Sequence, residues 1–66
     1  MEGTTRSVKR ALEVLASICD RPDSSLSDVA AQTGMPLSTT HRILQTLMAS
    51  GHLVRSSEGL YTAGPQ

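Results

Sequence analysis

Between Ser7 and Arg21 the apolar residues Val8, Ala11, Leu12, Leu15, Ile18 and Cys19 recur at steps of three and four, the spacing that gathers side chains on one face of a helix. Ser7 is the expected N-cap. Pro22 and the Asp23-Ser24-Ser25 run carry breaker and turn chemistry, which ends this helix near Asp20. A second, shorter helix follows, with Ser27 expected to cap it and Asp28 placed in its first turn, where a carboxylate faces the positive end of the helix dipole. Val29 and Ala30 form its inward pair, and Gly34 stops it by taking the left-handed conformation at low steric cost. Only Gly34 to Pro36 separates this helix from the next periodic run, and so short a connection makes the two helices cross.

The third helix is expected over residues 37–50, with Thr40, Ile43, Leu44, Leu47 and Met48 as its apolar stripe and Gly51 as its stop. Ser38, Arg42, Gln45 and Ala49 fall on the opposite side, Thr39 and Thr46 on one flank and His41 on the other. Beyond Gly51, residues 52–55 alternate weakly around Leu53 and Val54. Ser56 to Gly59 supply a turn, and Leu60 to Ala63 return as a second short strand. An isolated hairpin is marginal in water, so Leu53, Leu60 or Tyr61 must pack on the helices. The fold class is therefore mainly α with a small β-hairpin: a winged helix-turn-helix of three helices plus a wing, over residues 7–64, with residues 1–6 as a flexible arm.

Composition narrows the core and the chemistry. Tyr61 is the one aromatic residue, so the core must be aliphatic, which suits packed helices better than a sandwich. Cys19 has no second thiol for a disulfide or a C-x-x-C motif and is read as packing, as are Met35 and Met48. His41, His52 and Cys19 lie on separate elements without paired ligand spacing, so no metal and no cofactor is expected. No nucleophile motif and no glycine-rich phosphate loop accompanies the many serines, and no catalytic residue is assigned: the chain is not read as an enzyme. No apolar run approaches a membrane span and the basic, polar start lacks a signal-peptide core, so the expected location is cytoplasmic.

A formal net charge of zero argues against strong non-specific binding to nucleic acid, but the charges are segregated. Residues 1–10 hold Arg6, Lys9 and Arg10 against Glu2, and residues 11–34 hold Glu13, Asp20, Asp23 and Asp28 against Arg21. The remainder holds Arg42 and Arg55 against Glu58. A 66-residue domain buries a modest share of its surface, which leaves room for a partner chain or a second domain.

Four stretches carry a resemblance to the N-terminal domain of the IclR family of bacterial regulators, covering nearly the whole chain. They are Ser7 to Leu15; Leu26 to Ala30 with Thr33 to Pro36; Ser38 to Leu47; and Gly59 to Tyr61 before Gly64 and Pro65. The Pro-x-Ser-Thr-x-His-Arg run from Pro36 is the most specific of these. Two positions depart from the pattern: Leu37 stands where many relatives are basic, which removes a phosphate contact at the helix start. Thr40 stands where they place a small apolar residue, and its hydroxyl is expected to bond back into its own helix. The resemblance implies a homodimeric or higher homo-oligomeric regulator whose winged helices bind a palindromic or pseudo-palindromic operator in double-stranded DNA. It also implies a larger C-terminal domain that senses a small-molecule effector, with residues 65–66 as the start of the linker to it.

In that setting the third helix is expected in the major groove, where each base pair shows a distinct donor and acceptor pattern, and the wing, residues 52–63, on adjacent backbone or minor groove. Arg42 is the leading contact, to base or phosphate. Ser38 and Thr39 either bind phosphate near the helix N-terminus or simply start the helix. Gln45 either pairs with adenine or fills a solvent face, and His41 packs partly buried with its ring toward a phosphate. Thr46 shares the Thr39 flank, Arg55 meets DNA from the wing base, and Glu58 opposes a DNA-seeking wing tip. Arg6 and Arg10, with Lys9, either contact phosphate or form a solvated basic face. The competing reading is a winged helix used for protein interaction or dimerisation, which the zero net charge favours.

Overall fold

The computed structural model describes residues 2–65, with side chains from residue 6 onward. Three helices and a hairpin follow in order: α1 (Glu2–Asp20), α2 (Leu26–Thr33), α3 (Leu37–Ala49), β1 (Leu53–Arg55) and β2 (Tyr61–Ala63). The winged helix-turn-helix expected from the pattern is what the chain forms.

The core is built from one or two residues per element. Val14 and Ile18, one turn apart on α1, meet Val29 of α2, Leu44 of α3, Leu53 of β1 and Tyr61 of β2, while Leu15, Leu26, Met35, Ile43, Leu47 and Met48 close around them. Ser17 of α1 also hydrogen-bonds the Gln32 side chain of α2. Thr40, fully buried, is a polar member of this interior, and Ser24 is buried as well. The Thr40 Oγ1 donates to the Pro36 carbonyl at 2.9 Å, the expected back-bond, and among the described residues no buried side-chain polar atom lacks a partner.

Several local expectations are corrected. α1 starts at Glu2, so residues 2–6 are helical where an arm was expected, and Ser7 lies inside the helix instead of capping it; no proline interrupts this stretch. Met1 and Gln66 lie outside the described residues. α2 is capped by Ser25, not Ser27. The Ser25 Oγ accepts from the Asp28 N–H at 3.1 Å and the Asp28 carboxylate accepts from the Ser25 N–H at 3.1 Å. A box closed from Ser27 would need Ala30 as its acceptor, which has none, whereas Ser25 has Asp28 three residues on. Val8 and Leu12 stay 54% and 60% exposed, and Cys19 is exposed too, so α1 does not bury its whole apolar face. The rest of the domain is too narrow to cover it, since α2 and α3 pack on the Val14–Ile18 line.

Gly34 takes φ 74° at the end of α2 and donates its N–H to the Ala30 carbonyl, which turns the chain within Gly34-Met35-Pro36 and makes α3 cross α2. The hairpin pairs Leu53 with Ala63, Val54 with Thr62 and Arg55 with Tyr61. A third segment, invisible in the periodicity, joins it: Ser24 bridges Tyr61, with Tyr61 N–H to Ser24 O at 2.7 Å and Asp23 N–H to Tyr61 O at 3.0 Å. The α1–α2 connection thus covers one edge of the wing and fixes its root against the helices. At the open end Gly64 passes so close that a Cβ there would lie 2.5 Å from the Gly51 carbonyl oxygen.

Candidate nucleic-acid interface

α3 has an inner side that is closed and an outer side that is open. Thr40 and Leu44 hold it in the core, while Ser38, His41, Arg42, Gln45, Thr46 and Ala49 are exposed. The helix contains no acidic residue, and Arg42 is its one formally charged side chain. Its N-cap is Pro36, which makes no side-chain hydrogen bond, so the N–H groups of its first turn have no side-chain cap.

The crossing of the helices puts a cleft on each side of this ridge. On one side α1 supplies Ser7, Arg10 and Ala11, and α3 supplies Thr39, Arg42 and Thr46, over a floor of Ile43 and Leu47, enclosing about 360 Å³. Two arginines from elements 32 positions apart in sequence therefore share one cleft. On the other side α3 supplies His41 and Gln45, and the wing supplies Arg55, above Leu26, Met48 and Tyr61. Arg55 ends β1, and its guanidinium folds over the hairpin turn at Gly59. That turn is held by Ser56, whose Oγ accepts from the Glu58 and Leu60 N–H groups, while its own N–H donates to Leu60 O at 2.8 Å. Glu58 is exposed at the tip, beyond Arg55.

The residues singled out in the sequence are thus sorted by the structure. Arg10, Thr39, Arg42 and Thr46 come together in one cleft and His41, Gln45 and Arg55 in the other, while Ser38 lies exposed at the start of α3. His41 is exposed, not half-buried, because the core contacts of α3 run along Thr40 and Leu44. The Thr46 hydroxyl donates to the Arg42 carbonyl at 3.1 Å and so has only its oxygen lone pairs to offer a ligand. Arg6 is exposed on α1 and lines neither cleft. Ser7, Ala11, Ile43 and Leu47 were not read as site residues, since only the packing of α1 on α3 brings them to the cleft. Among the described residues no group of three His, Cys, Asp or Glu side chains is placed to hold a metal ion, and no helix is long and apolar enough to cross a membrane.

Residues 7–57 match the family model of the IclR helix-turn-helix domain. The HTH-type transcriptional regulator KipR of Bacillus subtilis is 30% identical over 64 residues, a match that spans 97% of this chain and 26% of KipR. Among solved structures, HmgR of Pseudomonas aeruginosa is 38% identical with a TM-score of 0.84, over 89% of this chain and 25% of HmgR. The IclR protein of Thermotoga maritima is 28% identical with a TM-score of 0.82, over 91% of this chain and 25% of that one. The chain spans about a quarter of the length of these relatives.

Proposed function

The chain belongs to the IclR family, as its helix-turn-helix domain, and from that premise we propose that it is the sequence-specific DNA-binding domain of a bacterial transcriptional regulator. α3 enters the major groove with Ser38, Arg42 and Gln45 toward the base edges. Arg42 reads a base or the adjacent phosphate, and Gln45 offers its amide to adenine. The cleft of Arg10, Thr39, Arg42 and Thr46 takes the phosphates of one strand, and Arg55 with His41 takes those of the other. Arg6 adds its charge from the neighbouring turn of α1. In the full-length regulator two such domains act as a pair on a palindromic or pseudo-palindromic operator in the cytoplasm, under a C-terminal domain that senses a small molecule.

The observation that carries this reading is the acid-free outer face of α3 with an arginine-bearing cleft on each side. A helix lying in the major groove has a phosphate backbone on both of its sides, and cations placed on both sides meet that geometry, whereas an apolar docking face would not need them. The test is fluorescence anisotropy of the chain on the palindromic duplex upstream of its own gene and on a scrambled duplex, each at two salt concentrations. Tighter, salt-sensitive binding to the upstream duplex is expected. Equal, salt-insensitive affinities for the two would replace this reading by a protein-interaction module.

A further inference from the structure

We propose that Thr46 is a specificity-determining residue that reads the 5-methyl group of a thymine with its own γ-methyl; the inference rests on the reading of α3 as a helix that enters the major groove. Thr39 and Thr46 stand two turns apart on the flank of α3 that faces α1, yet they offer different chemistry. The Thr39 hydroxyl makes no hydrogen bond among the described residues, so its proton is available to a phosphate oxygen. The Thr46 hydroxyl donates to the Arg42 carbonyl at 3.1 Å. With its one proton engaged there it has nothing to give a phosphate oxygen, which only accepts. Within the cleft, then, Arg10, Thr39 and Arg42 supply the donors. The same bond ties the Thr46 oxygen back to the helix backbone, and the branch of this exposed side chain left without a tie is the γ-methyl.

Ala49 supplies a second methyl beside it. It is exposed, stands three positions on from Thr46, which places the two Cβ atoms about 5–6 Å apart, and lies on the outward line of the helix between Ser38 and Arg42. The outer face of α3 therefore changes character along its length. Ser38, Arg42 and Gln45 present hydrogen-bonding side chains, and beyond them Thr46 and Ala49 present methyl groups. A third methyl set between two others at carbon contact distances of about 3.5–4.0 Å fits that separation. Of the groups that base pairs display in the major groove, the thymine C5-methyl is the apolar one; cytosine carries only hydrogen at the same ring position and gains nothing there. The midpoint of Thr46 and Ala49 lies about 8 Å along α3 beyond Arg42, so the thymine falls no more than about two to three base-pair steps from the Arg42 contact.

The test removes one methyl at a time from either side of the contact. Each thymine of the palindromic duplex upstream of the gene is replaced in turn by deoxyuridine, which lacks only the 5-methyl. Anisotropy titrations compare the wild-type chain with Thr46→Ser, which keeps the hydroxyl and loses the methyl, and with Thr46→Val, which keeps the methyl and loses the hydroxyl. One replacement is expected to lower the wild-type affinity about fourfold, the effect of one methyl group left unburied. Thr46→Ser is expected to bind the thymine duplex about fourfold more weakly and to ignore that replacement, while Thr46→Val responds to it as the wild type does. Neither variant changes a charge, so both keep the wild-type salt slope. Thermal melts check that each is folded. Full affinity in Thr46→Ser with a loss in Thr46→Val would make the hydroxyl the contact and overturn the proposal, as would the absence of any replacement that the wild type feels and Thr46→Ser does not. If the wild-type chain still prefers the upstream duplex over a scrambled one, that result removes the thymine contact alone; no preference between the two duplexes removes the DNA reading with it.

Discussion

The two arginines that share the cleft between α1 and α3 make different predictions, and the difference tests the geometry of the site. If Arg6, Arg10 and Arg55 each neutralise one phosphate per domain, the logarithm of the affinity falls with the logarithm of the salt concentration at a slope of about −2.7, roughly 40-fold between 50 and 200 mM. Arg10 stands on α1 at the α1–α3 cleft and, in the proposed docking, meets only the DNA backbone. Arg10→Ala is therefore expected to lower the affinity for every duplex by a similar factor and to reduce the slope to about −1.8. Arg42 stands on α3 itself, so Arg42→Ala is expected to cost about 1–3 kcal/mol on the preferred duplex and much less on a scrambled one. Both side chains are exposed, and surface substitutions of this kind stay within about 0.5 kcal/mol of wild-type stability. Anisotropy titrations at four salt concentrations on both duplexes, with thermal melts as controls, supply every quantity. An unchanged slope in Arg10→Ala, or an unchanged ratio between preferred and scrambled DNA in Arg42→Ala, would refute the assigned roles.

Three stability predictions follow from the packing. Ser25→Ala removes half of the capping box on α2 and should cost about 1 kcal/mol in urea denaturation, while Ser27→Ala, outside the box, should be nearly neutral. Thr40→Val keeps the buried volume, and the Pro36 carbonyl retains the Thr40 N–H at 3.0 Å. Its loss should stay below about 1.5 kcal/mol, and a larger one would mean that the hydroxyl has a partner beyond Pro36. Leu44→Ala opens a cavity where all three helices meet the wing and should cost about 2–5 kcal/mol, enough to erase the cooperative melt of a 66-residue domain; a sharp melt near the wild-type temperature would contradict the placement of Leu44 at the centre of the core.

The sequence by itself determined the order of elements, the C-terminal ends of α2 and α3 and the polar face of α3. Each of these rests on interactions between residues near in sequence: the three-and-four spacing of apolar side chains, the left-handed glycine at Gly34, and the short turn that leaves two helices no choice but to cross. Even the unusual Thr40 was legible, because its hydroxyl finds its partner one turn back at Pro36. The N-cap of α2 was misplaced at Ser27 because two serines stand before the same aspartate, although the three-residue spacing from Ser25 to Asp28 is the one the reciprocal bond requires.

What only the tertiary structure decided concerns pairs of residues far apart in the chain. Periodicity assigns a side chain to a face of its own helix, but it does not say how much of that face the neighbours are wide enough to cover; so Val8, Leu12 and Cys19 read as core and stand in solvent. It says nothing of the Ser24 bridge to Tyr61, since a single paired residue has no period. Nor does it place Arg10 beside Arg42, or Arg55 beside His41 and Gln45, because those neighbourhoods depend on the crossing of α1 over α3 and on the tilt of the wing. Local patterning set which residues face outward, and long-range packing set which of them meet.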